Sequence, residues 1–336
     1  MKKILIKADN IEQVRRYVDS VNPGFRNSYQ GDVYLICKYP GDWENNIRNP
    51  RDVTSTLMDK GVLGFHILAE IKTGNVYDFK SLQKWFDRTL AKIQAEFPED
   101  LFRRCLEDLE TWGMMVTTEI GQYKITRLGR VSADLYYLPQ DIYHWSVAFG
   151  RVAEHDLWDN DVAIAYSLGS VPSWQIGYIP KDAEDRTRRF TEAVLKLPGF
   201  DKAWRSSIAA DAYDLIVGHD IHMSMRNVQF DSPRICQALL WIDRVKGWKN
   251  TKFWSGLQLR VKYGAPADLA ELCQIPGIGI TRAKKLKEAN IKSLDAILNE
   301  DNFRKVEFAL GKVLARKAIN FIKTEKRANR HEGEEE

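Results

Sequence analysis

The apolar positions of this chain follow two periods. Near the start, "KILIKAD" (residues 3–9) and "DVYLICK" (residues 32–38) are short apolar runs of strand length. Between them, "IEQVRRYVDSV" puts Ile11, Val14, Val18 and Val21 on one side of a helix, and "NPGFRN" is a turn signal. The first 40 or so residues therefore predict a β-α-β unit, too short to be a domain alone. From residue 53 the period becomes helical, through "VTSTLMDKGVLGFHILAEI" and "DFKSLQKWFDRTLAKIQAEF". In "PEDLFRRCLEDLETWG" a helix begins at Pro98 and carries Leu101, Cys105, Leu109 and Trp112 as an apolar stripe. Gly113 is its left-handed stop. "MMVTTE", the turn "IGQ" and "YKITR" then read as a hairpin. Helices followed by a two-stranded wing give a winged-helix pattern, read here chiefly as a packing module rather than a reader of base edges.

Beyond the wing the chain is mostly helical, through "DIYHWSVAFGRVAE", "DRTRRFTEAVLKL", "DKAWRSSIAADAYDLIVGH" and "SPRICQALLWIDRVKGW". A last helix, "FRKVEFALGKVLARKAINFIK", precedes the charged stretch "TEKRANRHEGEEE", expected to fray. The predicted fold is mainly α, of α+β type: a short α/β remnant (1–48), a winged helix (49–138), a multi-helix bundle (139–265), a helix-hairpin-helix (266–325) and a charged tail (326–336).

Composition narrows this picture. The chain has 336 residues, 44% hydrophobic, with mean hydropathy −0.40, as in a soluble multi-domain protein. Its net charge of +4 is compatible with a polyanionic partner without demanding one. The four cysteines are far apart, which argues against a zinc knuckle or a disulfide framework and for the cytoplasm. The N-terminal apolar run is too short for a signal peptide or a membrane span, so no membrane partner is expected.

Two motifs carry chemistry. "IPGIGITRAKKL" fits a helix-hairpin-helix. Pro276 ends the first helix, and Gly277 and Gly279 allow positive φ and close backbone approach. The N–H groups of Gly277, Ile278 and Gly279, with those opening the next helix, would face a phosphate. Thr281, Arg282, Lys284 and Lys285 add a hydroxyl and cations at the same place. Such a clasp grips a nucleic-acid backbone without reading bases. Asn290 stands where a residue tolerant of the left-handed region closes the second helix.

The second motif is "DSPRICQALLWIDRVKGW". Ser232 reads as an N-cap and Pro233 as the first helical residue. Arg234, Trp241 and Trp248 recur every seven residues and so share one stripe, able to stack on bases. Packing inside the bundle is the plainer reading for Trp248.

Catalytic signatures are not found. There is no P-loop and no DExH box, and "HDIH" (residues 219–222) lacks a full metal-ligand set. Glu107, Asp108 and Glu110 face several sides of one helix, as a solvated face does. No cofactor is expected.

The order of the pieces resembles the C-terminal half of HelQ-like, Ski-two-type helicases of superfamily 2. "NPGFRNSYQGDVYLICK" is similar to the end of that family's second RecA-like motor domain, and "YKITRLGRVSADLYYLP" to the end of its winged helix. "SPRICQALLWIDRV" is similar to its ratchet helix. "RVKYGAPADLAELCQIPGIGITRAKKLKEANIKSL" is similar to the bundle's exit and terminal helix-hairpin-helix. The resemblance implies that Arg234 and Trp241 face a translocating strand. It also exposes a departure. Laid onto "RRYVDSVNPG", the family's arginine-finger motif puts Asp19 and Asn22 where arginines belong, and neither can stabilise a transferring phosphoryl group.

The expectation is therefore a natural, motorless relative. It would bind single-stranded or branched DNA, or RNA, without catalysis, as an accessory subunit or adaptor with a protein partner. Two rival readings are the C-terminal subunit of a split ATP-dependent helicase, completed by a separate ATPase, and a scaffold docking on a polymerase or ribosome.

Overall fold

The computed structural model describes residues 4–7, 33–36, 54–174, 182–200, 206–219 and 225–332. Two compact units divide the chain, Met1–Ser55 and Thr56–Glu336. In the first, strands β1 (Ile4–Lys7) and β2 (Val33–Ile36) pair in parallel, Ile4 opposite Val33, as a β-α-β unit requires. The expected helix over residues 11–21, with Asp19 and Asn22, lies outside the described residues.

The second unit is mainly α-helical, as the periodicity predicts. It opens with α1 (Lys60–Thr73), whose Leu63, Ile67, Leu68 and Ile71 are buried along one stripe. Asp59 caps α1 by accepting from Gly61 and Val62 N–H, and Gly74 at φ 81° ends it. The next apolar stretch is two helices, α2 (Phe79–Phe86) and α3 (Leu90–Gln94), not one; Asp78 and Ser81 form a capping box on α2. α4 (Glu99–Thr111) follows Pro98, buries Phe102, Cys105, Leu106 and Leu109, and stops at Gly113, φ 68°. The hairpin is present as β3 (Met115–Thr117) and β4 (Tyr123–Ile125), antiparallel. Thr126 then caps α5 (Arg127–Leu135) and donates its hydroxyl to Gly113 O at 2.7 Å, tying the hairpin base to the end of α4.

The bundle continues through α6 (Pro139–Glu154), α7 (Asp161–Leu168), α8 (Asp182–Val194), α9 (Ser206–Val217), α10 (Met225–Phe230), α11 (Ser232–Lys246) and α12 (Thr251–Tyr263). One apolar core runs from Leu57 to Val261. Tryptophans supply much of it. Trp145 donates its indole N–H to Leu168 O at 3.1 Å, and Trp254 donates to the buried Asp243 carboxylate at 2.7 Å. Trp158, Trp248, Phe253 and Trp254 cluster edge to face and tilted.

A second core runs from Ala265 to Ile322. It is built by α13 (Ala267–Cys273), α14 (Ile280–Glu288), α15 (Leu294–Leu298), a 3₁₀ turn (Glu300–Asn302), α16 (Phe303–Leu310) and α17 (Lys312–Glu332). The expected single last helix is broken at Gly311, φ 80° and ψ 151°, values no helix accommodates. The charged stretch expected to fray continues α17 as far as Glu332.

Candidate nucleic-acid interface

The clasp joins α13 to α14 through residues 274–279. Gly277 takes φ 85°, a left-handed value that a side chain resists. Gly279 does not. Its φ of −92° and ψ of −177° are extended backbone open to any residue, so the expected positive φ there is corrected. A Cβ built on Gly279 meets nothing within 4 Å among the described residues. The fold therefore does not require a glycine at 279; the missing side chain leaves room for something outside the chain.

Ile278 is also corrected. Its side chain is buried in the second core, and its N–H donates to Ile275 O at 2.9 Å, so neither faces outward. The amides that open α14 are those of Gly279, Ile280 and Thr281, which lie before any intrahelical acceptor. Arg282 donates Nη1–H to Gly277 O at 2.7 Å and so braces the loop. Thr281, Lys284 and Lys285 are exposed and, at spacings of three and four, share a helix face. α14 has no side-chain cap and no acidic residue in its first turn. Its positive end thus lacks the anion that the helix dipole favours; Arg282 is the cation of the first turn, whereas Lys284 lies mid-helix and Lys285 in the last turn. Asn290 closes the hairpin at φ 63°, as expected. The clasp is anchored to the bundle: a Cβ on Gly218, just past α9, would lie 2.8 Å from Pro266 and 3.5 Å from Ile280.

The α11 stripe is built differently from the expectation. Asp231, not Ser232, occupies the cap position. Ser232 is the first helical residue and is buried, and its hydroxyl finds no partner among the described residues. Asp231 makes no capping bond. It holds Arg234 through Nε and Nη2 at 2.8 and 2.7 Å and accepts from Tyr137 Oη at 2.9 Å. Arg234 also donates Nη1–H to Leu135 O and Tyr136 O at 3.0 and 3.3 Å, and lies 4.4 Å from the Tyr137 ring centroid. The bond to Asp231 foremost holds the guanidinium pKa above its ordinary value. Burial, followed by the Asp231 charge, raises that of Tyr137. Most donors of Arg234 are thus committed within the protein.

Trp241 is half-buried against the first core, beside an exposed stripe of Pro233, Gln237 and Arg244. It shares that side of α11 with Arg234, but Trp248 does not, because Gly247 ends the helix at φ 75°. Trp248 packs against Trp158 at 6.1 Å.

What spacing did not reveal is Tyr136. It ends α5 at φ 58°, a strained value for a tyrosine, and its ring is 74% exposed, 5.7 Å from Phe65. Arg234 holds its carbonyl. The only sequence signal for this ring was its position just after a helix whose start and stripe are regular.

Elsewhere, His219 Nδ1 lies 3.1 Å from Asp214 Oδ1, and the rest of "HDIH" lies outside the described residues. Among the described residues, no group of three or more His, Cys, Asp or Glu is placed to hold a metal ion, and no helix is long and apolar enough to cross a membrane.

Fold and hairpin together define a mainly helical chain with a basic hairpin, Gly277–Lys285, near its C-terminal end. Comparison with known proteins shows that the chain is helicase-derived. It is similar to the ATP-dependent DNA helicases Hel308 of Aeropyrum pernix (25% identical over 299 residues, 81% of this chain and 39% of that protein) and Methanocaldococcus jannaschii (37% over 313 residues, 86% and 25%). The Hel308 of Thermoplasma acidophilum is 24% identical over 322 residues, 90% of this chain and 45% of that protein. The region matched is their C-terminal portion, so the chain corresponds to the C-terminal half of a Ski2-type helicase and spans less than half the length of these relatives. No family profile matches the chain.

Proposed function

We propose that the chain is a nucleic-acid-binding protein that grips single-stranded or branched DNA, without hydrolysing ATP itself, as an accessory subunit to a protein partner. In this reading residues 49–138 serve as a winged helix, 139–265 as a ratchet-like bundle and 266–325 as a helix-hairpin-helix. The observation that carries it is the mouth of α14: among the described residues, an open space over Gly279 and uncommitted amides at Gly279, Ile280 and Thr281, where the helix dipole favours an anion, with exposed cations at Arg282 in the first turn and at Lys284 and Lys285 further along the helix. The relatives are called DNA helicases, which favours DNA over RNA as the first ligand to test. In this reading Tyr136, exposed, and Trp241, half-buried, supply the rings that meet bases. Arg234 acts through Tyr136 as a positioning residue.

The test is fluorescence anisotropy with single-stranded and forked oligonucleotides across a salt series. Wild type binds with a log-affinity that falls linearly with log salt. The triple variant Arg282→Ala, Lys284→Ala, Lys285→Ala binds more weakly, and its slope falls by up to about 0.7 for each lost phosphate contact on a single strand. Equal affinity and slope in wild type and variant would remove the clasp from the interface. ATP turnover by the chain alone would contradict the non-catalytic reading.

A further inference from the structure

The most exposed large hydrophobic side chain among the described residues is Phe308, 93% exposed near the end of α16. Val313, 70% exposed, follows on α17. Single exposed apolar residues need no explanation by themselves. What sets Phe308 apart is its surroundings. Arg304 and Lys305 stand four and three residues before it and share its helix face. Arg316 and Lys317 stand three and four residues after Val313 and share that face in turn, and Lys312 opens α17. All five cations are exposed, and none is ion-paired among the described residues. Within residues 303–317 they face one carboxylate, that of Glu307. Exposed apolar side chains with unpaired cations on the same helix faces suit a polyanion that also offers flat apolar faces, with Glu300 and Asp301 the nearest carboxylates before the stretch.

The local architecture repeats that of the clasp. Gly279 and Gly311 each precede a helix. Each glycine carbonyl accepts from the alanine N–H four residues on, Ala283 and Ala315, at 3.0 Å in both cases. Both alanines are fully buried, and each is followed by a basic pair, Lys284–Lys285 and Arg316–Lys317. The two places are also neighbours: a Cβ on Gly277 would lie 3.2 Å from Leu314 Cδ1, the residue after Val313.

We propose that α16 and α17 carry a second nucleic-acid contact beside the clasp, in which Phe308 stacks on an unpaired base while Arg304, Lys305, Lys312, Arg316 and Lys317 neutralise the flanking phosphates. The ligand class is single-stranded nucleic acid, because only unpaired bases present a free π-face to a ring standing clear of the surface. This rests on the reading of the clasp as a nucleic-acid grip, and the experiment separates the two.

Phe308→Ala, Phe308→Trp and the clasp triple variant are compared with wild type by anisotropy. The probes are a mixed-sequence single-stranded DNA oligonucleotide and the matching blunt duplex. So exposed a side chain contributes little to the fold, so wild-type thermal melts are expected for both Phe308 variants. Phe308→Ala should bind the single strand about tenfold more weakly with an unchanged salt slope, and the duplex as wild type does; Phe308→Trp should restore binding. If Phe308→Ala binds the single strand like wild type while the clasp variant is impaired, this inference falls alone. Equal losses on strand and duplex would rule out stacking and overturn it too. Should wild type bind neither oligonucleotide, both readings fall. Binding of polyglutamate in place of DNA would identify an acidic-protein surface instead.

Discussion

Arg234 separates two roles that the sequence could not. As a phosphate or base ligand it would be free in the absence of nucleic acid; as found, it is a clamp between the start of α11 and the end of α5. Replacing it with alanine removes two bonds to the Asp231 carboxylate, two to the carbonyls of Leu135 and Tyr136, and the contact with the Tyr137 ring. The side chain is 41% exposed, so the ion pair is discounted to at most about 1 kcal/mol. The charge-assisted carbonyl bonds, also partly solvated, add roughly 1–2 kcal/mol together, and the ring contact about 0.5 kcal/mol. Arg234→Ala should therefore cost about 2–3 kcal/mol, read as a lower urea midpoint. Arg234→Lys keeps the charge but loses the fork, and should recover less than half of that. The salt slope of oligonucleotide binding should barely move in either variant. The opposite pattern would refute the clamp: stability within about 0.5 kcal/mol of wild type, a slope lowered by about 0.7 in Arg234→Ala, and full recovery by lysine.

Three further outcomes follow from the geometry. Gly129→Ala drives a Cβ to 2.0 Å from Met114 O, a backbone atom that cannot step aside, so the variant should lose at least about 3 kcal/mol or fail to fold; a thermal shift near zero would contradict the packing of α5 on the hairpin. Asp78 caps α2, and its hydrogen bonds from Ser81, the backbone N–H foremost, hold its carboxyl below the ordinary aspartate range. A depressed folded-state pKa means that the stabilisation is present above the unfolded value and is lost as pH falls through the folded one. Asp78→Asn should keep most of the cap yet lack this loss of at most about 1 kcal/mol, so wild type and variant should converge in stability below pH about 4, where unchanged parallel curves would be the contrary result. Burial pushes the Cys236 thiol up to about 12, and Cys105 and Cys273 are buried as well, so native protein at pH 8 should leave all three unmodified by thiol reagents while denatured protein reacts fully, as mass spectrometry would show.

Legibility tracked solvent. Helices with one wet face, such as α4 and α11, show their period in the sequence and were found there. α7 was not: residues 163–168 are buried all round, so no polar phase marks a face. α10 is six residues long, too short to establish a period. The breaks after Phe86 and at Gly311 interrupt apolar stretches that read as continuous, because a stripe persists across a kink when both halves pack on one core.

The sequence by itself determined the mainly helical class, the parallel strand pair, the hairpin, the stops at Gly113 and Asn290, and the basic clasp at Gly277–Lys285, since each rests on local backbone preference or on spacing along one element. It also carried the helicase kinship, through the order of its pieces. The tertiary structure alone decided what the side chains meet. It committed Arg234 to carbonyls 98 and 99 positions away, put Trp248 past the end of its helix, turned Ile278 inward, and left Tyr136 and Phe308 in the open. The physical reason is that spacing fixes the face a residue occupies, whereas the partner across that face is supplied by chain distant in sequence, where no local pattern reaches.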